Sequence, residues 1–108
     1  MIGRRVTVTV DRPMGSRHPV YRDMIYPLNY GYVQGISAPD GEAQDAYILG
    51  VSRPVATFTG VVIAVIRRLN DIEDKWIVAP LGTGFSPEEI AKAIHFQEQY
   101  FDIEIITK

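Results

Sequence analysis

The 108-residue sequence contains no cysteine, which excludes disulfide bonds, thiolate metal sites, iron–sulfur clusters and a catalytic cysteine. It also lacks a long hydrophobic run, because the most apolar stretch, Val61–Ile66, is far too short to span a bilayer. No apolar segment follows the basic residues Arg4 and Arg5, so no signal peptide is predicted. These absences predict a cytoplasmic protein without disulfides.

Neither sign of charge dominates, since 11 basic and 13 acidic residues give a formal net charge of −2. Such a chain lacks the broad positive field with which proteins bind nucleic acids or acidic membranes, so neither partner is expected. Apolar residues make up 46% of the sequence, which is enough for a folded core. The length predicts one domain, residues 1–108, and a domain this small leaves apolar surface that favours a homo-oligomer.

Alternating apolar and polar residues predict β-strands along most of the chain. Val6, Val8 and Val10 share one face of the first predicted strand. The segment Ser16–Met24 is polar and irregular, which is typical of a loop. Further strands are predicted at Tyr26–Val33, Ala46–Val51, Thr59–Leu69 and Lys75–Ala79, and Ile103–Thr107 forms a last short strand or an ordered tail.

One helix is predicted near the C-terminus. Ser86 is followed by a proline, and Glu89 stands three residues after the serine, a combination typical of a capped helix start. Ile90 and Ile94 continue an apolar stripe at helical spacing to about Tyr100. About five strands before one helix predict a mainly β fold, a small five-stranded OB-type Greek-key barrel with one C-terminal α-helix. An SH3-like barrel is the alternative, because periodicity does not separate the two.

Acidic residues concentrate in two predicted turns. The first turn contains Asp40, Glu42 and Asp45, and the second contains Asp71, Glu73 and Asp74. If both turns converge at one end of the barrel, their oxygens form a ligand set suited to Mg²⁺ or Mn²⁺. The alternative is that both turns are solvated loop tips without a ligand.

Candidates for phosphate contacts lie close to these turns. Tyr26, Tyr30 and Tyr32 crowd one short segment, and Lys75 directly follows the second acidic turn. Phenolic hydroxyls and the lysine ammonium can donate hydrogen bonds to phosphate oxygens. The alternatives are core packing for the tyrosines and, for Lys75, a surface pair with Asp74.

Four blocks of the sequence, in this order, resemble the family I soluble inorganic pyrophosphatases. They are Tyr26–Tyr32 (YPLNYGY), Asp40–Asp45 (DGEAQD), Asp71–Pro80 (DIEDKWIVAP) and His95–Tyr100 (HFQEQY). The resemblance extends over roughly residues 6 to 100. It implies an OB-type barrel and the Mg²⁺-dependent hydrolysis of inorganic pyrophosphate to two phosphates, with Mn²⁺ as an alternative cation.

The resemblance also implies a role for each residue at a matched position. Glu42 stands where an aspartate of the family positions the attacking water and accepts its proton, so it is the implied catalytic base. The implied metal ligands are Asp11, Asp40, Asp45, Asp71 and Glu73. The implied phosphate contacts are Tyr30, Lys75 and Tyr100. A charged hairpin of the family is missing, and the loop in its place offers three further substrate-binding candidates: Arg17, His18 and Arg22.

Two departures from the family pattern predict weakened activity. Glu42 is one methylene longer than aspartate, and Phe101 stands where the family has a lysine. Two other functions therefore stay open. A non-catalytic OB-type module would bind a phosphorylated ligand or a protein partner, and ligand would stabilise it without turnover. A single-strand nucleic-acid binder would stack bases on the aromatics near Tyr30, but the acidic turns oppose a polyanion.

Overall fold

The computed structural model describes all 108 residues as six strands and one helix. In chain order the elements are β1 (Arg5–Arg12), β2 (Asn29–Ser37), β3 (Ala43–Ile48), β4 (Thr57–Arg68), β5 (Asp74–Ala79), α1 (Pro87–Glu98) and β6 (Ile103–Ile106). Of the two alternatives for the C-terminal segment, a short strand or an ordered tail, the structure has the strand. The helix is neither long nor apolar enough to cross a membrane.

Five of the strands close into a barrel. Their order is β1-β2-β3-β5-β4, and β1 also pairs with β4. This closing pair is antiparallel and runs from Arg5 opposite Val61 to Thr9 opposite Thr57. The sixth strand, β6, pairs with the second half of β4 outside the barrel. The mainly β prediction of a small OB-type barrel with one C-terminal helix is confirmed, and β6 is an addition to its edge.

Two apolar layers hold the barrel and the helix together, because β3, β4 and β5 bury both of their faces. One set of side chains fills the barrel interior and includes Val8, Ile48, Val62, Trp76 and Val78. The alternate set packs outside the barrel against the helix and includes Tyr47, Ala64, Ile66, Ile77, Ile90 and Ile94. Strands covered on both faces lose the simple apolar–polar alternation and appear in the sequence as nearly continuous apolar runs.

The helix begins as the sequence predicts. The Ser86 side chain accepts a hydrogen bond from the Glu89 N–H, and the Glu89 carboxylate accepts one from the Ser86 N–H. The helix ends at Glu98, two residues before the predicted Tyr100, and Gln99 is its C-cap. The last turn therefore places Phe101 beyond the helix, over the end of β4.

Asn29, at the start of β2, holds two loops against this strand through hydrogen bonds of its side chain. Its buried amide oxygen accepts hydrogen bonds from the Met14 and Val55 N–H groups, and its NH₂ group donates to the Arg53 carbonyl. Two loops are thereby tied to the strand that carries Tyr30. Asn29 is fully buried, and its side-chain amide bonds only to backbone groups of these loops, so its role is structural.

Candidate functional site

A large cleft of about 1030 Å³ opens between the barrel, the end of α1 and the loop after β1. Polar and aromatic side chains from all three regions line it. The residues that matter for chemistry are Asp11, Arg12, His18, Tyr26, Tyr30, Asp45, Arg68, Lys75, Gln97 and Tyr100. A cleft with convergent polar groups and aromatic walls is the usual form of a small-ligand site.

A smaller cavity of about 290 Å³ adjoins this cleft and is lined mainly by carboxylates. Its acidic residues are Asp11, Asp40, Glu42, Asp45, Glu73 and Asp74. The two cavities share Asp11 and Asp45. The acidic turns meet because β3 and β5 are parallel neighbours, so the loops that precede them lie at the same end of the barrel.

Lys75 connects the two acidic segments. Its Nζ donates to Asp45 Oδ2 at 2.7 Å and to Glu73 Oε1 at 3.2 Å, and only 4% of the side chain is exposed. Asp45 does not lie in the first acidic turn, as its sequence position suggested, but within β3 opposite Tyr32. The surface pair between Lys75 and Asp74 does not form, because Lys75 is buried beside the large cleft and bonds to Asp45 and Glu73 instead.

Arg68, the last residue of β4, lies on the floor of the cleft. Its guanidinium donates to both carboxylate oxygens of Glu98, at 2.9 Å from Nε and 2.8 Å from Nη2. A third bond of 3.0 Å from Nη1 reaches Glu73. The Phe101 ring covers the guanidinium carbon, which lies 3.7 Å from the ring centroid. The arginine is therefore fixed on every side by strand, helix and loop.

A chain of polar side chains continues from Glu98 along the helix. The buried Tyr47 hydroxyl donates to Glu98 Oε2 at 2.6 Å, and Gln97 Nε2 donates to the same hydroxyl at 2.7 Å. The Tyr26 hydroxyl in turn donates to Gln97 Oε1 at 3.3 Å. No buried side-chain polar atom lacks a partner, so the network rigidifies the back wall of the cleft.

Burial controls the protonation of Tyr30, which lines the large cleft. Desolvation raises the pKa of Tyr30 above its ordinary value, and the nearby Asp45 carboxylate raises it further. The phenol therefore remains protonated at neutral pH and can act as a hydrogen-bond donor. Lys75 Nζ lies 5.7 Å from the centroid of the Tyr30 ring, so both donors reach the same part of the cleft.

Opposing effects set the pKa of Glu98. Burial alone raises the pKa of this carboxyl group, but hydrogen bonds from Arg68 and Tyr47 outweigh burial and hold the pKa below 4.5. Glu98 is therefore ionised at neutral pH and balances the charge of Arg68. The same burial, with Glu98 beside it, raises the pKa of Tyr47.

Three residues expected at the site lie elsewhere. Asp71 does not line either cavity; one of its oxygens accepts from the Ile72 N–H, and the other lies 3.9 Å from Arg68 Nη1. Arg17 and Arg22 also lie outside both cavities. The Arg17 guanidinium donates to the Arg22 carbonyl at 3.0 Å, which holds the loop closed on its outer side.

His18 and Tyr100 both line the cleft. His18 Nδ1 accepts from the N–H groups of Val20 and Tyr21, each at 3.1 Å, so its other ring nitrogen remains for a ligand. The imidazole stacks near Tyr26, with an interplanar angle of 7°. Tyr100 is 69% exposed at the rim, where a bound molecule would cover it.

Arg68, Glu98 and Tyr47 form the part of the site that sequence reasoning missed. A signal was present for Glu98, because it follows Ile90 and Ile94 at four-residue spacing on the buried face of the helix. A carboxylate at that position requires a buried cation. The sequence did not indicate which arginine supplies it.

The similarity of this chain to known proteins lies in its fold. No family model matches the sequence, and no curated protein matches it. An inorganic pyrophosphatase from Helicobacter pylori superposes with a TM-score of 0.75 and 17% identity, covering 96% of this chain and 85% of that chain. The enzyme from Ehrlichia chaffeensis superposes with a TM-score of 0.71 and 17% identity, again covering 96% of this chain and 85% of that chain. The enzyme from Coxiella burnetii superposes with a TM-score of 0.68 and 16% identity, covering 97% of this chain and 85% of that chain.

The chain has the fold of the bacterial inorganic pyrophosphatases. At 16–17% identity the likeness is one of fold, and the chemistry of the site follows from its own residues. The acidic cavity lies beside the cleft because of three features of this fold: the closed barrel, the parallel β3–β5 pair and the C-terminal helix.

The residues of the acidic cavity are of the chemical type that binds divalent metals. Carboxylate oxygens are the donors that Mg²⁺ and Mn²⁺ prefer, and the Lys75 ammonium already holds positive charge between Asp45 and Glu73. No three acidic or histidine side chains are grouped closely enough to bind one ion together. A cation at Asp45 or Glu73 would compete with the bonds that both carboxylates make to Lys75.

Proposed function

We propose that the chain hydrolyses inorganic pyrophosphate, or a closely related phosphoanhydride, with the help of Mg²⁺ or Mn²⁺. The observation that carries this proposal is the shared wall between a carboxylate-lined cavity and a cleft that holds phosphate donors. Asp11 and Asp45 belong to both. A cation among the carboxylates and a phosphate in the cleft would thus be direct neighbours.

Asp40, Asp45 and Glu73 are the residues proposed to hold the cation, with Asp11 at the boundary of the cleft. When bound, a divalent cation neutralises phosphate charge and lowers the pKa of a water molecule. Such a cation is needed here on electrostatic grounds, because only Lys75 and Arg68 balance the carboxylates around the acidic cavity. A pyrophosphate anion would otherwise meet a surplus of negative charge.

The protein side chains then bind and orient the substrate. Tyr30 and Lys75 donate hydrogen bonds to phosphate oxygens, and Tyr100 and His18 close the rim of the cleft. Glu42, at the exposed end of the acidic cavity, accepts the proton of the attacking water. Asp71, Arg17 and Arg22 have no part in this proposal, because their positions keep them away from both cavities.

A phosphate-release assay with pyrophosphate and Mg²⁺ or Mn²⁺ tests the proposal. The unmodified chain should release phosphate, and Asp45→Asn should lose at least about 100-fold in rate, because the residue borders both cavities. Asp102→Asn is the matched control, since this exposed aspartate lies outside both cavities. Equal rates in the unmodified chain and Asp45→Asn would overturn the proposal, as would no release with either metal.

A second candidate is a non-catalytic module that binds a phosphorylated ligand or a protein partner. The pairing of Lys75 with Asp45 and Glu73 favours it, because two of the proposed metal ligands are already occupied. This function predicts a raised melting temperature with pyrophosphate and no phosphate release. Under either function we propose a cytoplasmic homo-oligomer that binds neither nucleic acid nor membranes, in keeping with the charge of −2.

A further inference from the structure

The large cleft is bigger than inorganic pyrophosphate requires and carries no net charge. Its volume of about 1030 Å³ lies at the upper end of the range for clefts that enclose drug-sized molecules, whereas pyrophosphate has only nine non-hydrogen atoms. Acidic and basic side chains line the cleft in equal number: Asp11, Asp23, Asp45, Arg12, Arg68 and Lys75. Because their formal charges cancel, most of this space suits an uncharged part of a larger ligand.

A row of aromatic rings forms one wall of the cleft. It begins at the exposed Tyr21 and continues through His18 and the buried Tyr26 to Tyr30. The centroids of successive rings lie 5.1, 6.1 and 5.8 Å apart, within the range of interacting aromatic pairs. Tyr30 ends the row, and Lys75 Nζ lies 5.7 Å from its ring centroid. The wall thus leads from the solvent to the two groups proposed to bind phosphate.

The outer part of this wall belongs to the loop after β1, which backbone hydrogen bonds hold in a fixed form. Arg17 and Ile25 pair in an isolated antiparallel bridge, and the His18 N–H donates to the Met24 carbonyl at 2.9 Å. The His18 ring is oriented by the two N–H groups that donate to its Nδ1, so its Nε2 bears the ring proton. The rings therefore stand in place before a ligand arrives, which lowers the entropic cost of binding.

Two tyrosines leave most of their rings uncovered at the rim of the same cleft. Tyr21 is 66% exposed and Tyr100 is 69% exposed, and they belong to different segments, the loop after β1 and the chain after α1. Rings that line a cleft and remain open to solvent offer apolar area for a ligand to bury. A flat, uncharged ring system stacks on such side chains, and in a nucleotide that ring system is the base.

We propose that the ligand of the large cleft is a nucleoside diphosphate or a related nucleotide rather than pyrophosphate alone. The base stacks on the wall formed by Tyr21, His18 and Tyr26, and the phosphates lie at its inner end. This inference deepens the proposed function and rests on it for the position of the phosphates. It gives the aromatic loop a role that phosphate binding does not need, which is to select the substrate by its uncharged part.

Isothermal titration calorimetry with two non-hydrolysable ligands in Mg²⁺ tests the inference. Adenosine 5′-(α,β-methylene)diphosphate carries a base, whereas methylenediphosphonate has the same P–C–P unit and no nucleoside. The nucleotide should bind the unmodified chain at least about tenfold more tightly, because stacking of one base on aromatic side chains has about this effect or more. Similar affinities for the two ligands would overturn the inference, as would no binding of the nucleotide.

Tyr21→Ala removes one exposed ring from the wall. It should weaken nucleotide binding about five- to tenfold and change methylenediphosphonate binding little, whereas Tyr21→Phe keeps the ring and should stay within about twofold of the unmodified chain. Val20→Ala is the matched control, because it removes a neighbouring exposed side chain that lines neither cavity. An equal loss for both ligands in Tyr21→Ala, or the same loss in Val20→Ala, would contradict stacking on this ring.

The unmodified protein gives a readout that does not depend on whether a variant folds. In a saturation-transfer NMR experiment, the adenine protons of the nucleotide should receive more saturation than its ribose protons, because the base lies against the protein. Stronger transfer to the ribose would place the base in solvent and overturn the inference. Phosphate release from pyrophosphate is assayed separately. Nucleotide binding without this release would disprove the proposed function alone, and release with similar affinities for both ligands would disprove this inference alone.

Discussion

Arg68 and Glu98 form a two-point ion pair beneath the cleft, with both carboxylate oxygens within 2.9 Å of guanidinium nitrogens. The pair joins the end of the longest strand to the last turn of the helix. The Tyr47 hydroxyl donates to the same carboxylate, and Glu73 accepts from the same guanidinium. The wall of the cleft and the acidic cavity therefore depend on one buried pair.

Arg68→Met should destabilise the protein by about 3–5 kcal/mol, because it leaves the charge of Glu98 buried without a cation. The double variant Arg68→Met/Glu98→Gln removes both charges and should recover most of this loss. Urea unfolding followed by circular dichroism gives both free energies. A double variant as unstable as the single one would contradict the explanation by a stranded charge.

The lowered pKa of Glu98 predicts a loss of stability in acid. A group whose folded pKa is depressed stabilises the folded state above its unfolded pKa, here near 4.5, and loses that contribution as the pH falls through the folded value. From about pH 6 to about pH 3 the free energy of unfolding should fall more steeply in the unmodified chain than in Glu98→Gln. Parallel curves would show that Glu98 does not titrate with folding.

Tyr30→Phe should weaken pyrophosphate binding by about five- to tenfold, the value of one hydrogen bond of about 1–1.5 kcal/mol. The ring remains, so the aromatic packing with Tyr26 and Tyr47 is kept and the melting temperature should hardly change. Isothermal titration with imidodiphosphate in Mg²⁺ measures the affinity. Ser52→Ala is the control, because it removes an exposed hydroxyl that lines neither cavity. A loss of the same size in both variants would remove the special role of Tyr30.

Gly31→Ala should destabilise the barrel by about 1–3 kcal/mol or more, because the new methyl group has no room. A Cβ at this position would lie 1.9 Å from the Thr9 carbonyl oxygen on the neighbouring strand. Gly84→Ala is the matched control, since nothing lies within 4 Å of its Cβ position. Thermal unfolding should separate the two variants clearly, and similar melting temperatures would contradict the close approach of β1 and β2.

The strands and the helix were predicted from the sequence, with errors of a few residues at their ends. The helix starts at the capping residue Ser86, as the sequence predicts, because capping is a local pattern of a few residues. The strand expected from Tyr26 begins at Asn29, after a proline that has no N–H for the ladder. The strand expected from Ala46 begins at Ala43, since pairing with β2 extends it through polar Gln44 and Asp45.

The site was harder to foresee than the fold. The sequence indicated Asp45, Glu73 and Lys75, but it could not show that these three side chains bond to one another. Asp71 and Glu73 both lie within 4 Å of the same Arg68 nitrogen, but only Glu73 lines a cavity. The conformation of this turn decides which of the two carboxylates lines a cavity, and the spacing of acidic residues in the sequence does not reveal that conformation.

The sequence by itself determined the strands, the single helix and the two acidic segments, because each is written in short-range patterns of apolar, polar and capping residues. Only the tertiary structure decided which charges neutralise one another. Parallel pairing of β3 with β5 brings Asp45 to Lys75, and packing of the helix brings Glu98 to Arg68. Both contacts join residues 30 positions apart, and their formation depends on the closed barrel rather than on any local preference.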